Sequence, residues 1–163
     1  MATPQTQPQN ELQIIRTVAA PRDRVFRAWT DAKELALWFH PTSEHTTLIT
    51  RMDLKVGGNY SLEMHHEGGK VRKLSGTYRQ IKPPEKLSFT WRWATDPPGV
   101  ETVVSLEFQE HGDATEIFLA HGQFPDAEMR DQHNQGWLGC LDQLQAYLDP
   151  GFVPSASVPA CDK

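Results

Sequence analysis

The chain has 163 residues and a formal net charge of -5, with 21 acidic side chains against 16 basic ones. A length of this order makes a single domain that can bury a core without a metal or disulfide staple. No stretch gathers Lys and Arg as a phosphate-tracking face does, and no apolar run approaches the ~20 residues of a membrane span, which argues against nucleic acid and membrane-spanning roles.

Residues 1–10 and 150–163 read as disordered tails, rich in Pro, Gln and Ser, with 11–149 as the one folded domain. Leu12 to Val18 is β-rich and reads as a first strand, ending at Ala19-Ala20-Pro21. Pro21 suits the first turn of a helix, where its missing N–H costs nothing, and Val25, Phe26 and Trp29 then share one helical face. Asp31 followed by Glu34 is an N-cap pair for a second short helix, which carries Leu35 and Trp38 and stops near Pro41.

Strands follow. Thr46 to Leu54 leads to the turn at Gly57-Gly58, after which Tyr60, Leu62 and Met64 alternate with polar residues, the period of a half-buried strand. Glu67-Gly68-Gly69-Lys70 is a hairpin turn, and Leu74 to Ile81 is the next strand, closed by Pro83-Pro84. Leu87, Phe89, Trp91 and Trp93 alternate in their turn. Val104, Leu106 and Phe108 do the same, and Thr115 to His121 follows the turn at His111-Gly112-Asp113. Short turns between successive strands predict an antiparallel sheet.

From Asp126, an N-cap, to about Leu148, no proline interrupts a helical pattern. Met129, His133, Trp137, Cys140, Leu141, Leu144 and Leu148 form one stripe, with Arg130 and Asn134 on it near the N-terminal end. Gly136 lies at the flank of this stripe, and a mid-helix glycine costs about 0.5–1 kcal/mol relative to Ala. The expected compensation is close approach of helix to sheet. The whole is an α+β arrangement: a curved antiparallel sheet of about six or seven strands, two short helices and one long C-terminal helix.

Few residues carry an obvious chemistry. The seven histidines do not converge by spacing, His65 and His66 point to opposite faces of a strand, and neither cysteine has a C-x-x-C partner, so no metal site is expected. There is no G-x-S-x-G elbow, and Cys140 on an apolar helix face reads as an inert core thiol; no catalytic residue and no cofactor are expected. Two cysteines in all fit a reduced compartment, and the N-terminal residues lack a signal peptide's charged and apolar regions, so the expected location is the cytoplasm. Tyr60, Tyr78, Phe89, Trp91, Trp93 and Trp137, with Met64, either pack solid or line a cavity. Arg130 and His133 either overhang solvent or form a polar mouth that orients an anionic or hydroxylated ligand.

Five stretches in register resemble one family. They are Arg16–Thr30, the turn Trp38-Phe39-His40-Pro41, Asp53–Tyr60, Gly76-Thr77-Tyr78 with Pro83–Trp91, and Gly136-Trp137 with Leu141 and Leu144. They are similar to the START-like (SRPBCC) superfamily, and within it to the group related to the C-terminal domain of the activator of the heat-shock-protein-90 ATPase. His40 departs from that pattern, where the family most often has Gly. The resemblance implies a helix-grip fold with a cavity between sheet and long helix. It implies binding of lipid-like, aromatic or polyketide-like molecules, a chaperone partner in a stress response, or cyclase- or hydrolase-type chemistry. The activator carries a separate domain before this fold, whereas about ten residues precede the first strand here, so full activation is the weaker expectation. The leading expectation is a cofactor-free, non-enzymatic binder of a hydrophobic small molecule, monomeric or homodimeric. Its expected lining is Trp38, Tyr60, Met64, Tyr78, Trp91, Trp93, Arg130, His133 and Trp137.

Overall fold

A computed structural model describes residues 10–149, so the tails expected at 1–10 and 150–163 lie outside it except for Asn10. In chain order the elements are β1 (Leu12–Val18), α1 (Arg22–Thr30), α2 (Ala32–Trp38), β2 (His45–Met52), β3 (Asn59–His66), β4 (Val71–Lys82), β5 (Lys86–Trp93), β6 (Thr102–His111), β7 (Ala114–Gly122) and α3 (Ala127–Leu148). The strands make one antiparallel sheet in the order β1-β7-β6-β5-β4-β3-β2. The first two strands therefore occupy opposite edges, and α1 and α2 carry the chain across one face to join them.

Alternation decides which face that is. Residues directly opposite each other share a side of the sheet, and the pairs Leu62↔Leu74, Tyr78↔Phe89, Leu87↔Leu106 and Leu106↔Leu119 are all buried. Register shifts interrupt β2–β3 between Ile49 and Arg51 and β4–β5 between Tyr78 and Gln80. Bulges of this kind bend a strand, so the sheet curls around its apolar face. β4 begins three residues before the expected Leu74, which sets Arg72 opposite Met64.

The helices are set by their caps and by ion pairs. Asp31 Oδ1 accepts from Lys33 N at 2.9 Å and Asp126 Oδ1 from Met129 N at 2.8 Å, as N-caps do. Glu34 does not close a capping box. It binds Arg24, Arg27 Nε at 2.9 Å and the Tyr147 hydroxyl at 3.0 Å, so one carboxylate joins all three helices. Arg16 of β1 reaches Asp142 at 2.8 Å and Gln145 at 3.0 Å and ties α3 to the sheet edge.

One expectation about α3 is corrected. A Cβ on Gly136 would meet nothing within 4 Å, so no close approach occurs there. The close approach is at Gly139, where a Cβ would lie 2.2 Å from the Pro41 carbonyl oxygen. Gly136 faces empty space because the surface opposite it falls away. Among the described residues no helix is long and apolar enough to cross a membrane.

Candidate functional site

The space enclosed by the sheet, α1–α2 and α3 is divided in two, and Trp91 walls both parts. The inner part has about 30 Å³ and is lined wholly by buried residues, among them Trp29, Phe39, Tyr60, Tyr78 and Phe89. That is room for about one water. Tyr60, Tyr78 and Phe89 pack ring on ring with centroids 5.5–6.2 Å apart. The Tyr60 hydroxyl donates to the Thr90 carbonyl at 2.5 Å beside Gly76, where a Cβ would sit 2.7 Å from the Tyr60 ring. Burial pushes both phenols up, Tyr78 to about 12, so neither ionises near neutrality.

The outer part is a cavity of about 110 Å³ that reaches solvent. Met64, Trp91, Trp93 and Trp137 supply its apolar walls; Pro41, Gly136 and Cys140 supply small ones; Arg72, Gln132 and His133 are its polar members. The space persists because Gly136 and Cys140 present little bulk where α3 passes over the tryptophans. Burial pushes the Cys140 thiol up, which makes it a poor nucleophile.

Beneath this cavity runs a buried polar chain. His121, wholly buried, contacts Thr102 Oγ1 through Nε2 at 2.7 Å and accepts the Trp137 indole N–H at Nδ1 at 2.9 Å. Thr102 Oγ1 in turn donates to the Trp91 carbonyl at 3.1 Å, so the imidazole is the donor to Thr102. His133 accepts the Trp93 indole N–H at Nε2, 2.9 Å, and donates from Nδ1 to the Met129 carbonyl at 2.8 Å. Each ring is thus satisfied in one neutral tautomer, and a second ring proton would face an indole N–H. Burial lowers both histidines, His121 well below its ordinary value, and each lies near the other. The indole N–H groups of Trp29 and Trp91 are buried without a partner.

Of the nine residues expected at a lining, five meet at the outer cavity: Met64, Trp91, Trp93, His133 and Trp137. Tyr60 and Tyr78 stand in the inner part. Trp38 lines neither; 1% exposed, it meets Trp29 edge to face with centroids 4.7 Å apart and donates to the Ala28 carbonyl at 2.9 Å. Arg130 is away from both, with Nε 3.0 Å from Asp131. The cation at the cavity is Arg72, whose guanidinium carbon sits 3.9 Å over the Trp93 ring. Counting back by twos from Tyr78 and Leu74 finds it, provided the strand is started early enough. Among the described residues no group of three or more His, Cys, Asp or Glu side chains is placed to hold a metal.

Residues 19–149 match the family described as Activator of Hsp90 ATPase homolog 1-like protein. The chain belongs to this family. Family membership and fold agree with the helix-grip, START-like resemblance carried by the sequence stretches. Among solved structures, a protein from Chromobacterium violaceum superposes with a TM-score of 0.79 at 25% identity, over 86% of this chain and 98% of that one. The AHSA1 protein from Silicibacter pomeroyi does so with a TM-score of 0.74 at 27% identity, over 85% and 96%. No curated protein matches. Family membership supports a ligand-binding or activator-like role in general terms and names no ligand.

Proposed function

We propose that this domain binds a small molecule with an apolar or aromatic part in the outer cavity, between α3 and the sheet. The observation that carries this is a solvent-reaching space of about 110 Å³ walled by Trp91, Trp93, Trp137 and Met64. Drug-sized ligands need about 300–1,000 Å³, whereas an engineered cavity of about 150 Å³ takes a benzene ring. The occupant therefore buries a group of about one ring, and anything larger extends into solvent.

Gly136→Leu tests the reading, because the new side chain enters the cavity without meeting backbone. Titrating the native protein with single-ring aromatics should change its tryptophan fluorescence, and the response should vanish in Gly136→Leu at an unchanged or higher melting temperature. Equal responses from both proteins would sink the proposal. A chaperone-linked role is the second reading, supported by the family's description. It gains if native protein and Gly136→Leu stimulate a chaperone ATPase equally, since that activity would not pass through the cavity.

A further inference from the structure

The polar members of the outer cavity are unevenly committed. Both ring nitrogens of His133 are already bonded, so that side chain has nothing left to offer a ligand without losing a protein partner. Arg72 differs. Its contact with Trp93 is a cation–π one, which uses none of the five guanidinium N–H donors. Among the described residues no carboxylate pairs with it directly; Asp96, whose charge reaches it from a distance, has Oδ2 bonded to the Trp93 backbone N–H at 2.9 Å. No Asp or Glu lines the cavity, and Gln132 is its other polar side chain. Partial burial lowers the Arg72 pKa, a cost that an arriving anion would relieve.

An exposed, fork-shaped donor set at the rim of an apolar recess matches a planar anion on an apolar body. We infer that Arg72 anchors a carboxylate, and that the cavity's occupant is a small organic acid whose apolar part is about one ring. This rests on the small-molecule reading above and narrows it to a chemical class. A single planar cation fits a single planar carboxylate in bidentate fashion. His133 and Trp93 then act as positioning residues: their mutual bond holds the Trp93 ring under the guanidinium.

The test compares acid and amide of the same shape, benzoate against benzamide and butyrate against butyramide, by tryptophan fluorescence at low salt. In the native protein each acid should bind about tenfold or more tightly than its amide, an advantage that shrinks as salt is raised. Arg72→Gln should bring benzoate down to the level of benzamide and leave benzamide unchanged, with the melting curve confirming the fold. Arg72→Lys should recover part of the difference, because it restores charge without the fork. Equal binding of acid and amide to the native protein would overturn the carboxylate inference and leave the cavity reading standing. Benzoate binding that survives Gly136→Leu would place the anion elsewhere and overturn it too. If none of the four probes binds, the small-molecule reading itself falls, and this inference with it.

Discussion

The two spaces on either side of Trp91 are both walled by aromatic rings and have opposite characters. Inward, rings meet rings: Tyr60, Tyr78 and Phe89 close on one another and leave about 30 Å³. Outward, Trp91, Trp93 and Trp137 meet Gly136, Cys140 and Pro41, and about 110 Å³ stays open. Aromatic content therefore does not measure a cavity. Small residues opposite the rings do: Gly136 and Cys140 lie on α3, whereas Trp91 and Trp93, which they face, lie on β5.

The strongest way to break this comparison is to truncate a ring on the closed side. Phe89→Ala should destabilise by about 3–5 kcal/mol in chemical denaturation, the cost of a large buried ring whose neighbours cannot collapse onto the gap. A loss under about 1 kcal/mol would mean that the inner space is looser than its packing indicates. The glycines of α3 sharpen the contrast from the helix side. Gly139→Ala drives a Cβ against the Pro41 backbone and should cost about 1–3 kcal/mol, whereas Gly136→Ala should stabilise by about 0.5–1 kcal/mol, since it gains helix propensity and meets nothing. Matching melting shifts for the two variants would contradict the geometry.

Acid probes the polar chain under the cavity. The folded-state pKa of His121 lies well below the ordinary 6.5, so native protein excludes a proton that the unfolded chain accepts. Its contribution to stability is complete above about pH 6.5 and is lost as pH falls from there towards the folded pKa. The loss from this group therefore grows as pH falls below about 6.5. His133, also lowered, adds to the loss in the same direction over a narrower window. Urea denaturation at a series of pH values should show this decline, and His133→Gln should make it shallower. A flat profile between pH 7.5 and 5.5 would mean that the imidazoles can protonate within the fold.

The fold was legible because its signals are local. Alternation of Leu87, Phe89, Trp91 and Trp93, or the unbroken stripe ending at Leu148, needs no knowledge of what lies across the core. The site was half legible for the same reason. Alternation placed Trp91 and Trp93 on the inner face, and the helical stripe placed His133 and Trp137 there too. Neither pattern reports the distance to the facing surface. That is why Gly136 was expected to touch and Gly139 does, and why Tyr60 and Tyr78 fell in the closed part. Arg130 shares the stripe, but it stands in the first turn of α3, and the helix lines the cavity only from Gln132 onward. Arg72 was hidden by its neighbours: between Lys70 and Lys73 it reads as the polar end of a hairpin, until β4 is extended back to Val71.

The five indole N–H groups do not share one kind of partner. Trp38 gives its proton to a carbonyl, Trp93 and Trp137 give theirs to imidazole nitrogens, and Trp29 and Trp91 keep theirs. In a nitrogen–proton correlation spectrum these classes should separate, with the imidazole-bound pair shifted furthest downfield and slowest to exchange. Trp91, Trp93 and Trp137 border the outer cavity, whereas Trp29 and Trp38 do not. The molecule thus carries its own set of magnetic reporters, three beside the cavity and two away from it as internal references. A single spectrum can tell occupation of that space from a change anywhere else in the fold.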